Sequence, residues 1–106
     1  MAVHAIAAIA DPTRRRIVEA LAKGPLSSGD IAARFPISAP AISQHLKTLK
    51  AAKLVRVRAE AQRRIYELDP TGLDEVGAWL ADVRGFWSAR LDALGRQAGD
   101  EMESGA

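Results

Sequence analysis

The segment that most constrains the fold is residues 38–55, SAPAISQHLKTLKAAKLV. Ser38 can cap a helix by accepting a backbone N–H, and Pro40 falls in the first turn, where its missing N–H breaks no intrahelical bond. Three apolar residues recur at positions i, i+4 and i+7 and therefore share one helical face: Ile42, Leu46 and Leu49. The segment predicts a short helix over residues 39–51 with one buried seam.

The other side of this helix carries short, amide-bearing or cationic side chains: Pro40, Ser43, Gln44, Lys47 and Lys50. Such a face suits a DNA groove, because glutamine can pair bidentately with adenine and a serine hydroxyl can donate or accept. The alternative for Ser43 and Gln44 is a helix face that only meets solvent. Lys47 and Lys50 either bind phosphate or are solvated. His45 borders the seam, where it either contacts DNA or forms a hydrogen bond inside the fold.

Two helices are predicted before this segment. Residues 3–10 are alanine-rich and apolar, and Asp11 interrupts them. Asp11 as N-cap and Pro12 at the first helical position then begin a second helix. Gly24 fits a left-handed stop and Pro25 prevents continuation, so the second helix ends there.

A third helix begins at Ser27 or Ser28 and runs to about Phe35. The short turn over residues 36–38 joins it to the helix described first. This pattern predicts a helix-turn-helix over residues 28–51, whose second helix lies in the major groove of DNA.

Residues 54–68 alternate apolar and charged side chains, which predicts two strands of a hairpin. Three arginines flank its loop: Arg58, Arg63 and Arg64. A basic hairpin that follows a recognition helix is typical of a wing. The arginines either bind DNA or blunt an exposed strand edge.

Residues 71–94 show an apolar stripe at spacings of three and four, which predicts a long helix. The stripe contains Leu73, Val76, Leu80, Val83, Trp87, Leu91 and Leu94. The rest of the domain offers no partner for it, so we expect a homodimer that also uses Val3, Ile6 and Ile9 of the first helix. Trp79, Phe86 and Trp87 form interface core or, alternatively, line a pocket for an apolar effector. Residues 98–106 are expected to form a disordered tail.

Charge is unevenly distributed along the chain. Residues 1–70 hold 12 Lys/Arg against 6 Asp/Glu, whereas residues 71–106 hold 3 against 7. The basic part contains the wing and the predicted recognition helix over residues 39–51, as expected for phosphate binding. The 106 residues suit one domain over residues 1–97.

The composition excludes several classes of chemistry. The chain has no cysteine, so it forms no disulfide, thiolate nucleophile or thiol switch. It contains no apolar run of about 20 residues and no signal segment, so we expect a cytoplasmic protein without membrane contact. No nucleophile is paired with a base and no glycine-rich phosphate loop is present, so we do not expect an enzyme.

The element order, together with DPTRRRIVEAL, SAPAISQHLKTLKAAKLV and RRIYELD, resembles the ArsR/SmtB family of bacterial winged-helix repressors over about residues 5–94. The resemblance implies a mainly α fold with about five helices and a two-stranded wing. It also implies a dimer paired through the first and last helices, and repression by occupying an operator until an effector lowers affinity. The segment FWSARLDAL, from Phe86 to Leu94, looks like a branch that includes non-metal autorepressors.

The chain departs from the metal-sensing members of that family. Their sites use cysteine pairs in the stretch matching SSGDIAARF, or histidines and carboxylates on the last helix. Here that stretch has no thiol, and the last helix has no histidine. The two histidines, His4 and His45, lie on different helices without soft ligands nearby, so we expect no metal and no cofactor.

The leading hypothesis is therefore a homodimeric DNA-binding repressor that reads an inverted-repeat operator, with an unknown effector. The predicted DNA contacts are Ser38, Pro40, Ser43, Gln44, His45, Lys47, Lys50, Arg58, Arg63 and Arg64. A winged-helix module that binds a protein partner is the alternative. A repressor released by a small apolar effector at the dimer interface is a second alternative.

Overall fold

The computed structural model describes residues 3–104, with side-chain environments for residues 3–95. The elements are α1 (Val3–Ala10), α2 (Pro12–Ala22), β1 (Leu26–Ser27), α3 (Ser28–Ala33), α4 (Ala39–Ala51), β2 (Val55–Glu60), β3 (Arg63–Leu68) and α5 (Pro70–Ser104). The chain divides into two compact units, Met1–Val76 and Gly77–Ala106. The predicted mainly α winged-helix fold is confirmed.

The start of α2 follows from its first residues. The Asp11 carboxylate accepts the backbone N–H of Arg14 at 2.9 Å, and Pro12 opens the helix. This hydrogen bond holds the pKa of the Asp11 carboxyl below its usual range, because it stabilises the charged form. At the other end Gly24 adopts a φ of +148°, a conformation that residues with a Cβ rarely take. Both predicted boundaries of α2 are confirmed.

The N-cap of α3 is Ser27, whose Oγ accepts the backbone N–H of Asp30 at 3.1 Å. This resolves the choice between Ser27 and Ser28. The helix ends at Ala33 with Arg34 as its C-cap, two residues before Phe35, the predicted end.

The predicted two-stranded wing is present as β2 and β3, and a short strand that was not predicted extends the sheet to three strands in the order β1-β3-β2. In β1, Leu26 and Ser27 pair antiparallel with Tyr66 and Ile65 of β3. Two residues are too short to show a period-two pattern, and their pairing depends on a distant strand. The hairpin itself, β2 with β3, spans residues 55–68 around a turn at Ala61.

The predicted seam of α4 lies in the centre of the core. Ile42, Leu46 and Leu49 are 2%, 3% and 0% exposed. Ser38 caps the helix by accepting the Ala41 N–H at 3.3 Å, as expected. The seam packs in one cluster with residues of the other elements: Ala5, Ala8, Ile17, Leu21, Ile31, Leu54, Val55 and Tyr66. In this cluster α1 contributes alanines, and Val3 remains 64% exposed.

The junction between α4 and α5 depends on a glycine that sequence reasoning overlooked. The N–H of Gly72 donates to the Lys53 carbonyl oxygen at 2.8 Å. A Cβ at Gly72 would lie 2.5 Å from that oxygen and 2.8 Å from the Ala52 carbonyl oxygen. Lys53 itself has a φ of 57°, in the left-handed region. Only glycine lets these two backbone segments approach so closely.

The last helix, α5, is longer than predicted. The Asp69 carboxylate accepts the Thr71 N–H at 2.9 Å just before the first turns, and this bond lowers the pKa of Asp69. The helix continues to Ser104 instead of ending near Leu94, since the residues after Gly95 include good helix formers. The disorder expected for residues 98–106 stays a prediction, and residues 105–106 lie outside the described chain.

We expect Ser27→Ala to lower the free energy of unfolding by about 1 kcal/mol, because it removes the cap of α3. Ser28→Ala is the matched control and should change stability by less than about 0.5 kcal/mol. Urea unfolding followed by circular dichroism, at one fixed protein concentration, measures both values. Equal effects of the two substitutions would contradict the assignment of Ser27 as the cap.

We expect Gly72→Ala to destabilise the fold by about 1–3 kcal/mol, because the added methyl group meets backbone that cannot rotate away. Gly29→Ala serves as the control, since its Cβ would meet only the Ser27 Oγ, at 3.9 Å. That substitution should be neutral or stabilise α3 by up to about 1 kcal/mol. The same unfolding titration tests both, and a neutral Gly72→Ala would show that the junction can relax.

Candidate nucleic-acid interface

An open cleft of about 450 Å³ lies between α4 and the β2–β3 hairpin. Its walls are Ser43, Leu46, Lys47, Lys50, Val57, Arg58, Ala59, Arg64 and Tyr66. Five of the predicted contact residues thus line one surface, four of them cationic. We call this surface the basic cleft.

Local structure explains why these side chains converge. The α4 seam is buried, so Ser43, Lys47 and Lys50 face outward. On the hairpin, Ala59 pairs with Arg64 and Val57 with Tyr66, and paired residues share a sheet face. That face forms the hairpin wall of the cleft. Val57, Ala59 and Tyr66 were not among the predicted site residues. Period-two alternation puts Val57 and Ala59 on one face of β2, and the pairing of β2 with β3 adds Tyr66.

The wing arginines have different surroundings. Arg64 lines the basic cleft, whereas Arg63, its neighbour in β3, projects from the opposite face. The Arg63 Nη2 lies 3.4 Å from the Asp30 Oδ2 of α3. The Arg58 Nη1 lies 2.9 Å from the Glu60 Oε2, so part of its charge is neutralised although it lines the cleft. Arg64 is the wing arginine whose placement best fits phosphate binding.

His45 is half-buried and is not part of the basic cleft. Its Nδ1 lies 3.4 Å from the Nη1 of Arg14, and the Arg14 Nε donates to the Ala8 carbonyl oxygen at 2.7 Å. The location matches the fold-internal alternative for this histidine. Arg14 of α2 thus contacts both α1 and α4.

Three other predicted contacts lie on α4 or at its N-cap, outside the cleft walls. Ser38, Pro40 and Gln44 are all exposed. The Ser38 hydroxyl is used in capping, and the backbone carbonyl oxygen of Gln44 accepts the Thr48 hydroxyl at 3.1 Å. The residue Gln44 is exposed, on the side of α4 away from the buried seam. The structure therefore keeps Gln44 available for a base edge.

Comparison with known proteins decides the family. Residues 9–58 match a family described as a helix-turn-helix domain. The HTH-type transcriptional regulator Rv2034 of Mycobacterium tuberculosis (strain ATCC 25618 / H37Rv) is 54% identical over 84 residues, covering 79% of this chain and 76% of that protein. The chain belongs to the ArsR/SmtB family of winged-helix transcriptional regulators. Its relatives are transcription regulators and not enzymes.

Two further relatives of this ArsR/SmtB protein support the assignment. The transcriptional repressor SdpR of Bacillus subtilis (strain 168) is 42% identical over 73 residues, covering 69% of this chain and 81% of that protein. A solved ArsR-like transcriptional regulator from Rhodococcus sp. RHA1 superposes with a TM-score of 0.74 at 29% identity, covering 88% of each chain.

Among residues 3–95, whose side chains the structure describes, no three His, Cys, Asp or Glu residues gather to hold a metal ion. His45 is turned toward Arg14, and His4 lies on α1. The same part of the chain contains no helix long and apolar enough to cross a membrane.

The second unit exposes an apolar surface on α5. Val83, Phe86, Trp87 and Arg90 outline an open depression of about 440 Å³, with Phe86 81% and Trp87 58% exposed. Trp79, Leu80, Leu91 and Leu94 are also about half exposed. Leu73 and Val76, predicted for the dimer interface, instead lie half-buried against the core of the first unit. Their part in a dimer stays a prediction, as does a pocket for an apolar effector.

Proposed function

We propose that this ArsR/SmtB regulator is a homodimeric, cytoplasmic repressor that binds an inverted-repeat DNA operator. Each subunit places α4 in a major groove, and the two grooves lie about 34 Å apart on the duplex. The observation that carries this proposal is the basic cleft, where Lys47 and Lys50 of α4 face Arg64 of the hairpin. One strand of the DNA backbone passes between them.

The division of roles follows from side-chain chemistry. Ser43 and Gln44 are exposed on α4, next to the cleft lysines, and can reach base edges. The cations of the basic cleft bind phosphates, which supply affinity without sequence preference. Arg63 is held by Asp30 and contributes less than Arg64. The excess of positive charge in residues 1–70 adds long-range attraction.

The dimer is supported by the apolar surface of α5. Large contiguous apolar patches on a soluble protein mark interaction sites, and this patch follows one helix over several turns. The proposed interface residues are Val3, Ile6, Ile9, Leu73, Val76, Leu80, Val83, Trp87 and Leu91. The two-fold symmetry of such a dimer relates the two copies of α4, and this symmetry matches that of an inverted-repeat operator.

Repression is the proposed direction of regulation because the relative SdpR is a transcriptional repressor. A repressor needs only to occupy its operator, which the proposed DNA binding and pairing would achieve. An apolar molecule at the Phe86–Trp87 surface is the alternative means of release, and the identity of the effector is left open.

A titration of the chain's own promoter DNA in a gel-shift assay tests the proposal. We expect a shift at or below micromolar dimer, with log affinity falling linearly against log salt at a slope of about −0.9 per neutralised phosphate. No shift at micromolar dimer would favour a module that binds a protein partner. An affinity for DNA that does not change with salt concentration would contradict the proposed role of the basic cleft.

Single substitutions separate the two kinds of contact. Gln44→Ala should cost about 1–3 kcal/mol on the operator and relax one base preference, whereas Arg64→Ala should weaken all sequences alike and reduce the salt slope by about one contact. Arg56→Ala is the matched control, because Arg56 is paired with Glu67 at 3.0 Å and does not line the cleft. If Arg56→Ala and Arg64→Ala have equal effects on binding, the DNA surface is misplaced.

A further inference from the structure

His45 points away from the basic cleft. Successive residues of a helix are about 100° apart, so each residue two positions from His45 lies about 160° away around the axis. Those two residues, Ser43 and Lys47, both line the cleft. Thr48, one turn beyond His45, instead lines a smaller cavity of about 230 Å³ together with Ala8 and Arg14. The flank of α4 that carries His45 therefore faces α1 and α2.

The contact between His45 and Arg14 has a defined chemistry. A guanidinium carries only donors, so a hydrogen bond across this 3.4 Å requires the His45 Nδ1 to be an unprotonated acceptor, with the ring proton on Nε2. The same guanidinium donates from Nε to the Ala8 carbonyl oxygen at 2.7 Å. Ala8 lies in the last turn of α1, where carbonyl groups lack partners within the helix. One arginine of α2 thus joins the end of α1 to α4.

Arg14 is itself held in place. Its backbone N–H donates to the Asp11 carboxylate at the start of α2, and its side chain is half-buried. The neighbouring Arg15 also reaches α1, with its Nη1 3.5 Å from the Ile9 carbonyl oxygen, but it is exposed and does not line the cavity beside Thr48. The two arginines therefore have the same charge and similar contacts to α1, and they differ in the bond to His45.

We propose that His45 positions the recognition helix α4 and does not itself contact DNA. The buried seam fixes the overall rotation of α4, and the bond between Arg14 and the His45 Nδ1 restricts the small rotation that remains, which adjusts the direction of Ser43, Gln44 and Lys47. Through the Ala8 carbonyl, the same arginine ties this rotation to α1, a helix of the proposed dimer contact. The inference rests on the proposed function, since its effect is read out on operator binding.

Two replacements of His45 distinguish the two roles. Asn places an acceptor oxygen close to the position of Nδ1, whereas Gln extends its amide toward the position of Nε2. A positioning role predicts that His45→Asn binds operator within about twofold of the wild type and that His45→Gln loses about tenfold. Glutamine is the better helix former of the two, so helix propensity works against this expected order.

A double-mutant cycle then tests the partner. Arg14→Met removes the bond to Ala8 as well as the bond to His45, so it should lose at least about tenfold. Adding His45→Gln should not increase the loss of Arg14→Met, because the contact between the two side chains is already absent. Arg15→Met removes the same charge from the same turn and should bind like the wild type. Thermal unfolding by circular dichroism is recorded for each variant, so that a loss of fold is not read as a loss of binding.

The state of the ring is measured directly on the wild-type protein. Long-range ¹H–¹⁵N spectra of the imidazoles at pH 8 should show His45 protonated on Nε2, with His4→Gln used to assign the signals. A proton on the His45 Nδ1 would overturn the inference. Operator binding that is retained by His45→Gln and lost by His45→Asn would also overturn it. So would an affinity loss in the double variant equal to the product of the two single losses. If the wild type binds no DNA, the proposed function fails and the inference with it. If the wild type binds and Arg14→Met binds equally well, the inference alone fails.

Discussion

The burial of the apolar seam of α4 is the interaction on which the other features of the proposed DNA-binding surface depend. Ile42, Leu46 and Leu49 are nearly inaccessible to solvent and pack in one cluster with residues of α2, α3 and β2. Each buried aliphatic side chain of this kind contributes about 1.5–3 kcal/mol. Because the period of the helix is fixed, this burial directs Ser43, Lys47 and Lys50 outward. The polar surface is a geometric consequence of the apolar one.

A second constraint places the hairpin beside that surface. The chain leaves α4 through Lys53 with a left-handed backbone and enters β2 at the buried Val55. After the hairpin it returns to the same point, where Gly72 donates to the Lys53 carbonyl oxygen. The two ends of the wing are thereby fixed close together. The sheet register then puts Arg64 on the cleft face and Arg63 on the other, so neighbouring residues of like charge acquire different roles.

Local patterns in the sequence were sufficient to predict much of this arrangement, while pairings between distant residues were not. The caps at Asp11 and Ser38 and the α4 seam depend on residues a few positions apart, and all were predicted. The two-residue strand β1 was missed because its existence depends on β3. The contacts of Arg63 with Asp30 and of Arg14 with His45 join residues 33 and 31 positions apart, which no periodicity reveals. Charge counts predicted a basic surface but not which arginine lines it.

The central claim is that DNA lies in the basic cleft between α4 and the hairpin. Amide spectra of ¹⁵N-labelled protein, recorded with and without its promoter DNA, test this claim residue by residue without any substitution. Binding in the cleft predicts that the largest shift changes fall within residues 38–50 and 57–66, with small changes in residues 79–94. Changes concentrated in residues 79–94, or spectra that DNA leaves unaltered, would contradict it.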